Sequence, residues 1–93
     1  MPTQDTIKKV VCDVVKNYDV KEAYLFGSYA RGEETPNSDI DIRLLCGKSM
    51  RIQDLYHIEK ELEERLSSSI EIISAPPKEL RPRFLKSAIK ISF

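Results

Sequence analysis

The hydrophobic residues of the first segment recur every three or four positions, which is the spacing of one face of an α-helix. This set consists of Ile7, Val10, Val11, Val14, Val15 and Tyr18. Charged residues lie between them, so the pattern predicts an amphipathic first helix with Thr3 or Asp5 as its N-terminal cap. The next run, Val20 to Phe26, is predicted to be a strand that ends at Gly27.

The segment Asp39 to Leu45 alternates between polar and apolar residues, which indicates a second strand that is buried on one face. Successive side chains of a strand point to opposite faces. The face directed toward a core is predicted to carry Ile40, Ile42 and Leu44. The opposite face is predicted to carry Asp39, Asp41 and Arg43. Two carboxylates and a guanidinium group therefore share one surface of this strand.

Two helices are predicted around this strand. Ser28 is expected to cap a short helix that Gly32 and Glu33 end, and a longer helix is expected from about Met50 to Leu66. The apolar side of the longer helix is predicted to consist of Ile52, Leu55, Tyr56, Leu62 and Leu66.

The last part of the chain adds three predicted elements. Ser69 to Ser74 is a third strand, and Lys78 to Ala88 is a helix that Pro82 interrupts or restarts. A short terminal strand is predicted over Ile89 to Phe93. The predicted order is α-β-α-β-α-β-α-β, an α/β (α+β) fold in which helices flank a small mixed sheet.

Length and charge narrow the possible functions. With 93 residues, the chain is expected to form one domain over residues 1–93. Fifteen basic and fifteen acidic residues give no net charge, which argues against direct nucleic-acid binding through a basic surface. The sequence shows neither a membrane span nor a secretion signal, and Cys12 and Cys46 are interpreted as free thiols. We therefore expect a cytoplasmic protein.

The Gly27-Ser28 step and the Asp39-Ile40-Asp41 pair, separated by ten residues, form the most informative pattern in the chain. Glycine lets the backbone approach an anionic group closely, and the Ser28 hydroxyl can add a hydrogen bond to a phosphate. Arg31 lies one turn later and either reaches the same phosphates or forms a surface ion pair. Carboxylates two positions apart on a strand can ligate Mg²⁺, so Asp39 and Asp41 are candidate metal ligands.

Glu71 is the candidate third carboxylate. It lies within the third predicted strand, where Ile70 and Ile72 take the core side and Glu71 takes the opposite face. If this strand lies beside the second, Glu71 points into the same site as Asp39 and Asp41. It could then complete a pair of Mg²⁺ ions and accept a proton from the acceptor.

The stretch from Leu25 to Gly32, together with Ser38 to Ile42, closely resembles the signature of the minimal nucleotidyltransferases of the DNA polymerase beta-like superfamily. The resemblance implies metal binding by Asp39 and Asp41 and phosphate binding by the Gly27-Ser28 turn. It also implies that Glu71 is the third carboxylate and base, although this family usually has aspartate there. Glutamate is longer than aspartate by one methylene, and we expect this difference to affect the rate of turnover more than the binding of nucleotide.

Within that superfamily, the chain resembles the MntA-type antitoxins. This resemblance implies that the chain uses ATP and two Mg²⁺ ions to transfer AMP onto a HEPN-domain toxin of the HepT type. It also implies a hetero-oligomer with that toxin. Two alternatives stay open: a catalytically weak module that neutralises or scaffolds its partner by contact, and a small-molecule nucleotidyltransferase.

Overall fold

A computed structural model describes residues 2–74 and 86–93 of the chain. The helices in these ranges are α1 (Gln4–Val15), α2 (Gly27–Arg31) and α3 (Ile52–Leu66), and the strands are β1 (Val20–Phe26), β2 (Ile40–Cys46), β3 (Ile70–Ser74) and β4 (Ile89–Ile91). The predicted order is confirmed through the third strand, and so is a short last strand. Most of the predicted helix from Lys78 to Ala88 lies outside the described residues, and residues 86–88 at its end are not helical.

The four strands form one mixed sheet in the order β3-β2-β1-β4. Strand β1 is antiparallel to both β2 and β4, whereas β2 and β3 run parallel. This arrangement confirms the predicted fold class. It also places β2, the strand of the paired carboxylates, between β1 on one side and β3 on the other.

The core lies on one face of the sheet, where α1 and α3 cover it. The predicted alternation of β2 is confirmed, because Ile40, Ile42 and Leu44 are completely buried. These side chains share one cluster with buried residues of α1 (Ile7, Val11, Val14 and Val15) and of α3 (Ile58, Leu62 and Leu66). The polar residues of β2 consequently lie on the sheet face that these two helices leave free.

The apolar side predicted for α3 is partly wrong. Ile52 is 84% exposed and Tyr56 is 56% exposed, whereas Ile58 is completely buried. The buried stripe follows Ile58, Leu62 and Leu66, which are four residues apart and therefore lie on one helix face. Ile52 and Tyr56 lie on a different face of the same helix. No helix within the described ranges has both the length and the apolar character to cross a membrane.

Helix termini in the structure distinguish between the predicted caps. Thr3 caps α1, and its hydroxyl accepts a hydrogen bond of 3.1 Å from the backbone N–H of Thr6. The predicted cap at Ser28 is wrong, because α2 begins at Gly27 and makes no side-chain cap hydrogen bond. The helix ends as expected at Gly32, which adopts a left-handed conformation with φ of 71°.

Helix α2 is fixed to the rest of the domain at two points. The side chain of Tyr29 is 2% exposed and belongs to the hydrophobic core. The backbone carbonyl of Tyr29 accepts a 2.7 Å hydrogen bond from the Gln4 side-chain amide of α1. The turn that enters α2 is therefore held in a defined position relative to the sheet.

Candidate active site

Asp41 occupies a central position on the free face of the sheet. In the strand pairing it lies opposite Phe26 of β1 on one side and opposite Glu71 of β3 on the other. Glu71 therefore lies beside Asp41, as predicted for this member of the aspartate pair. Asp39 is exposed and precedes β2, which begins at Ile40 rather than at Asp39 as predicted.

The turn at Gly27 comes close to Asp41. Gly27 has a φ of 74°, a backbone conformation that residues other than glycine rarely adopt. A Cβ atom built at this position would lie 3.5 Å from the Cβ of Asp41. The glycine is therefore required mainly by its backbone conformation. The two halves of the sequence pattern, which are separated by ten residues, meet at this point.

One oxygen of the Asp41 carboxylate has no hydrogen-bond donor among the described residues. Its Oδ1 atom is buried and accepts no hydrogen bond within the described part of the chain. Burial raises the pKa of the Asp41 carboxyl, while the positive charge of Arg43 lowers it and the negative charge of Glu71 raises it further. A buried carboxylate oxygen without a donor is costly unless a cation or a donor from another molecule satisfies it.

Arg43 contributes positive charge to the same face. Its guanidinium carbon lies 4.3 Å from the centroid of the Phe26 ring, in a cation–π arrangement. Its Nε atom is buried and, as far as the structure describes the chain, makes no hydrogen bond. Stacking on Phe26 therefore orients this cation without using all of its donors.

The donor set fits a divalent cation that arrives with a substrate. In residues 2–74 and 86–93, no three His, Cys, Asp or Glu side chains are grouped closely enough to hold a metal ion by themselves. Mg²⁺ is usually bound by one or two carboxylates together with substrate phosphates and water. Asp41, with its unpartnered oxygen, and the exposed Asp39 can supply such ligands. Glu71 on the neighbouring strand is available as a third oxygen donor.

A pocket of about 460 Å³ adjoins Asp39. We call it the serine pocket, and it is lined by Tyr29, Pro36, Asn37, Ser38, Asp39, Ser67, Ser68 and Ser69. Sequence reasoning missed it, because the loop before β2 and the turn before β3 are about thirty residues apart in the chain. The only signal in the sequence is the run of three consecutive serines between α3 and β3.

Comparison with known proteins bears directly on this site. A match to the protein family described as "Polymerase beta, Nucleotidyltransferase" extends over residues 8–92. The chain belongs to this nucleotidyltransferase family. The match includes the Gly27 turn, the aspartates next to and within β2, and Glu71, although it assigns no role to any of them.

Individual relatives agree with the family. A protein of Methanocaldococcus jannaschii named "Putative protein adenylyltransferase MJ0435" is 35% identical over 88 residues, which cover 91% of this chain and 94% of the relative. A toxin–antitoxin crystal structure with AMP-PNP has a TM-score of 0.75 at 20% identity, covering 91% of this chain and 72% of that one. A Shewanella oneidensis complex of a tri-AMPylated HEPN toxin with its MNT antitoxin has a TM-score of 0.70 at 17% identity, covering 97% and 72%.

Arg31 of this nucleotidyltransferase domain makes a surface ion pair. Its Nε donates to Oε2 of Glu33 at 3.4 Å, and both side chains are largely exposed. Exposed pairs of this kind contribute only about 0–1 kcal/mol. The contact is therefore weak enough for an incoming phosphate to displace it, and the phosphate role of Arg31 stays a prediction.

Asp41→Asn is expected to raise the melting temperature of the nucleotidyltransferase domain at neutral pH. The buried carboxylate has a raised pKa, so its charge lowers the free energy of unfolding above that pKa. Below the pKa of the unfolded chain, Asp41 is protonated in both states, and the difference between variant and wild type should disappear. Thermal denaturation followed by circular dichroism, from about pH 3 to about pH 8, measures this convergence. Destabilisation by Asp41→Asn at neutral pH would contradict it.

Proposed function

We propose that this protein is a Mg²⁺-dependent nucleotidyltransferase that moves AMP from ATP to a hydroxyl group of a protein acceptor. One observation carries the proposal. The buried Oδ1 of Asp41, which has no hydrogen-bond partner in the described part of the chain, belongs to a carboxylate between the Gly27 turn on one side and Glu71 on the other. An unsatisfied carboxylate in a nucleotidyltransferase domain is suited to a cation bound with the triphosphate.

In the proposed reaction, AMP is transferred from the triphosphate to the acceptor oxygen. The acceptor oxygen attacks the α-phosphorus, and the bond from this phosphorus to the bridging oxygen of pyrophosphate breaks. Pyrophosphate leaves with the electron pair, and Glu71 takes the acceptor proton. Asp39 and Asp41, with Glu71 as a third oxygen donor, would hold the Mg²⁺, which would supply positive charge to the triphosphate.

The Gly27-Ser28 turn is proposed to bind the phosphates that leave. Because position 27 is glycine, no side chain stands beside Asp41 at this turn to exclude a phosphate. Arg31 supplies a cation if it exchanges Glu33 for a phosphate, and Arg43 supplies fixed positive charge beside Asp41. ATP as the donor is supported by the adenylyltransferase name of the M. jannaschii relative and by AMP-PNP in the toxin–antitoxin neighbour.

We further propose that the acceptor belongs to a HEPN-type toxin, which the protein would neutralise as an antitoxin in a hetero-oligomer in the cytoplasm. The Shewanella neighbour is an MNT antitoxin in complex with an AMP-bearing HEPN toxin, and this likeness supports the partner. A partner would also cover the exposed carboxylates Asp39 and Glu71.

The direct test incubates the purified protein with the product of its neighbouring gene, Mg²⁺ and ATP labelled in the α-phosphate. We expect a mass gain of one or more AMP groups on the partner and no gain when EDTA replaces Mg²⁺. Intact-mass spectrometry detects the gain, and peptide mapping locates it. Absence of any transfer in the presence of Mg²⁺ would reject the proposed activity.

A non-catalytic binding module is the second candidate. Two observations favour it: Glu71 is exposed, and the described residues contain no preformed group of three carboxylates. In this case the partner would be neutralised by contact alone. The binding module predicts neutralisation without ATP, whereas the transferase predicts that neutralisation requires ATP and Mg²⁺.

A further inference from the structure

We propose that Gln4 is a positioning residue for the nucleotide: its side-chain amide holds α2 and thereby sets the place of the Gly27-Ser28 turn. This inference rests on the proposed function, in which that turn binds the phosphates. It adds a residue that lies outside the sequence pattern and acts without touching the substrate. The family match begins at residue 8 and therefore does not include Gln4.

Helix α2 is too short to be held in place by its own hydrogen bonds. It has five residues, whereas isolated helices shorter than about 12–15 residues are marginal in water. Its first residue, Gly27, and the residue that ends it, Gly32, both have positive φ, of 74° and 71°. Glycine permits a wide range of backbone conformations. The covalent connections therefore leave the direction of α2 to its contacts with the rest of the domain.

Two contacts within the described ranges set that direction. The buried side chain of Tyr29 anchors the middle of α2 in the core. The amide nitrogen of Gln4 donates to the backbone carbonyl of Tyr29 at 2.7 Å and to that of Ala30 at 3.4 Å. These carbonyls belong to the last turn of α2, where no following turn of helix supplies donors. An anchor in the middle and a tie at the end together keep α2 from tilting.

Gln4 is itself held in place by α1. It is the first residue of that helix and directly follows the cap residue Thr3. Farther along α1, Ile7 and Val11 are completely buried in the core. The hydrogen bond to Tyr29 spans 25 residues of sequence. It therefore joins the fixed start of α1 to a helix that begins beside Asp41.

A tilt of α2 would move the phosphate turn. A helix rises about 1.5 Å per residue, so Ser28 lies only about 3 Å along the axis from Ala30. Movement of the tied end about the Tyr29 anchor is therefore passed on to Ser28 at a similar size. If α2 occupies the binding position for only a fraction of the time, the apparent dissociation constant for nucleotide rises by the inverse of that fraction.

The test removes the hydrogen-bond donor and then restores it. Gln4→Met keeps a long side chain of high helix propensity but cannot donate, whereas the ammonium group of Gln4→Lys can donate to the same carbonyls. Gln53→Met, at an exposed position on α3, is the matched control. Thr6→Lys, exposed in the first turn of α1, controls for the added charge. Calorimetry, performed well below every melting temperature, measures binding of Mg²⁺ with AMP-PNP.

We expect Gln4→Met to raise the dissociation constant for Mg²⁺ with AMP-PNP by about threefold to tenfold, the size expected for loss of one hydrogen bond. Gln4→Lys and both controls should stay within about twofold of wild type. The variant should remain folded, because Gln4 is only half-buried. In transfer assays, Gln4→Met should raise the KM for ATP and leave the KM for the acceptor unchanged.

Three results would overturn the positioning role. A lower melting temperature of Gln4→Met with an unchanged dissociation constant would make Gln4 a structural residue only. Binding by Gln4→Lys that is as weak as binding by Gln4→Met would show that the hydrogen bond is not the cause. Tighter binding by Thr6→Lys than by wild type would attribute the rescue to charge alone.

These outcomes are distinguishable from failure of the proposed function. If the wild-type chain neither binds Mg²⁺ with AMP-PNP nor transfers AMP, the activity itself is rejected and the role of Gln4 falls with it. If wild type binds the nucleotide and Gln4→Met binds it equally well, only the positioning role is rejected.

Discussion

Asp39→Asn combined with Asp41→Asn is expected to lower AMP transfer by at least about 10³-fold, since losing even one group that stabilises transition-state charge costs about 10²–10³. Asparagine keeps the shape of each side chain but removes the negative charge that we propose holds Mg²⁺. The domain should remain folded, because Asp39 is exposed and the Asp41 carboxylate has no hydrogen-bond partner within the described residues. Single-turnover transfer of labelled AMP to the partner gives the rate.

The matched control is the double substitution Asp5→Asn with Asp13→Asn. It changes the net charge by the same amount, on α1 and away from the free face of the sheet. Among the described residues, the substitution of Asp13 removes exposed ion pairs with Lys16 and Arg65, whose contributions are small. We expect transfer by the control to stay near the wild-type rate.

Complex formation separates the two candidate functions. Size-exclusion chromatography of the site variant with its partner should show an intact complex, because contact does not require the aspartate charges. If the complex forms but the partner stays active, AMP transfer is required for neutralisation. Full neutralisation by the site variant without any transfer would instead establish the binding module.

The strand pattern was predictable because burial on one face leaves a strict period in the sequence. Ile40 and Ile42 had to face a core, and this placed Asp41 on the opposite face without any knowledge of the remaining fold. The Gly27 turn was predictable for a similar local reason, since a strand that ends at glycine permits a positive φ.

Helix α3 shows why other features were not predictable. Its apolar residues cover more than one helix face, so the sequence alone does not decide which face meets the sheet. Tertiary packing selects Ile58 and Leu62 and leaves Ile52 and Tyr56 exposed. The serine pocket has the same origin, because it exists only where two distant loops meet. The predicted cap at Ser28 is wrong because α2 begins at Gly27, so that Phe26 occupies the cap position.

The three carboxylates of the candidate site differ in their exposure to solvent. Asp41 is half-buried, and burial raises the pKa of its carboxyl, whereas Asp39 and Glu71 are exposed. A buried carboxylate without a partner lowers stability in the free protein, and binding of a cation with its nucleotide would recover that free energy. Function and stability therefore oppose each other at Asp41 more than at the other two carboxylates.

Glu71→Gln is expected to lower the rate of AMP transfer by about 10²–10⁴-fold, the usual contribution of a positioned general base. Glutamine has the same length and keeps an oxygen for metal or hydrogen bonding, but it cannot accept the acceptor proton. Binding of Mg²⁺ with AMP-PNP should change little if Asp39 and Asp41 hold the metal. Single-turnover rates of AMP transfer, measured beside the dissociation constant for Mg²⁺ with AMP-PNP, separate loss of the base from loss of metal binding.

The length of this side chain provides a second, independent test. Glu71→Asp shortens the side chain by one methylene but keeps a carboxylate, and we expect it to retain far more activity than Glu71→Gln because the proposed base is still present. Glu64→Gln, at an exposed position on α3, is the control for loss of one surface charge. If Glu71→Gln transfers AMP at the wild-type rate, Glu71 is not the base. If Glu71→Gln and Glu71→Asp both lose binding of Mg²⁺ with AMP-PNP, the carboxylate acts mainly as a metal ligand.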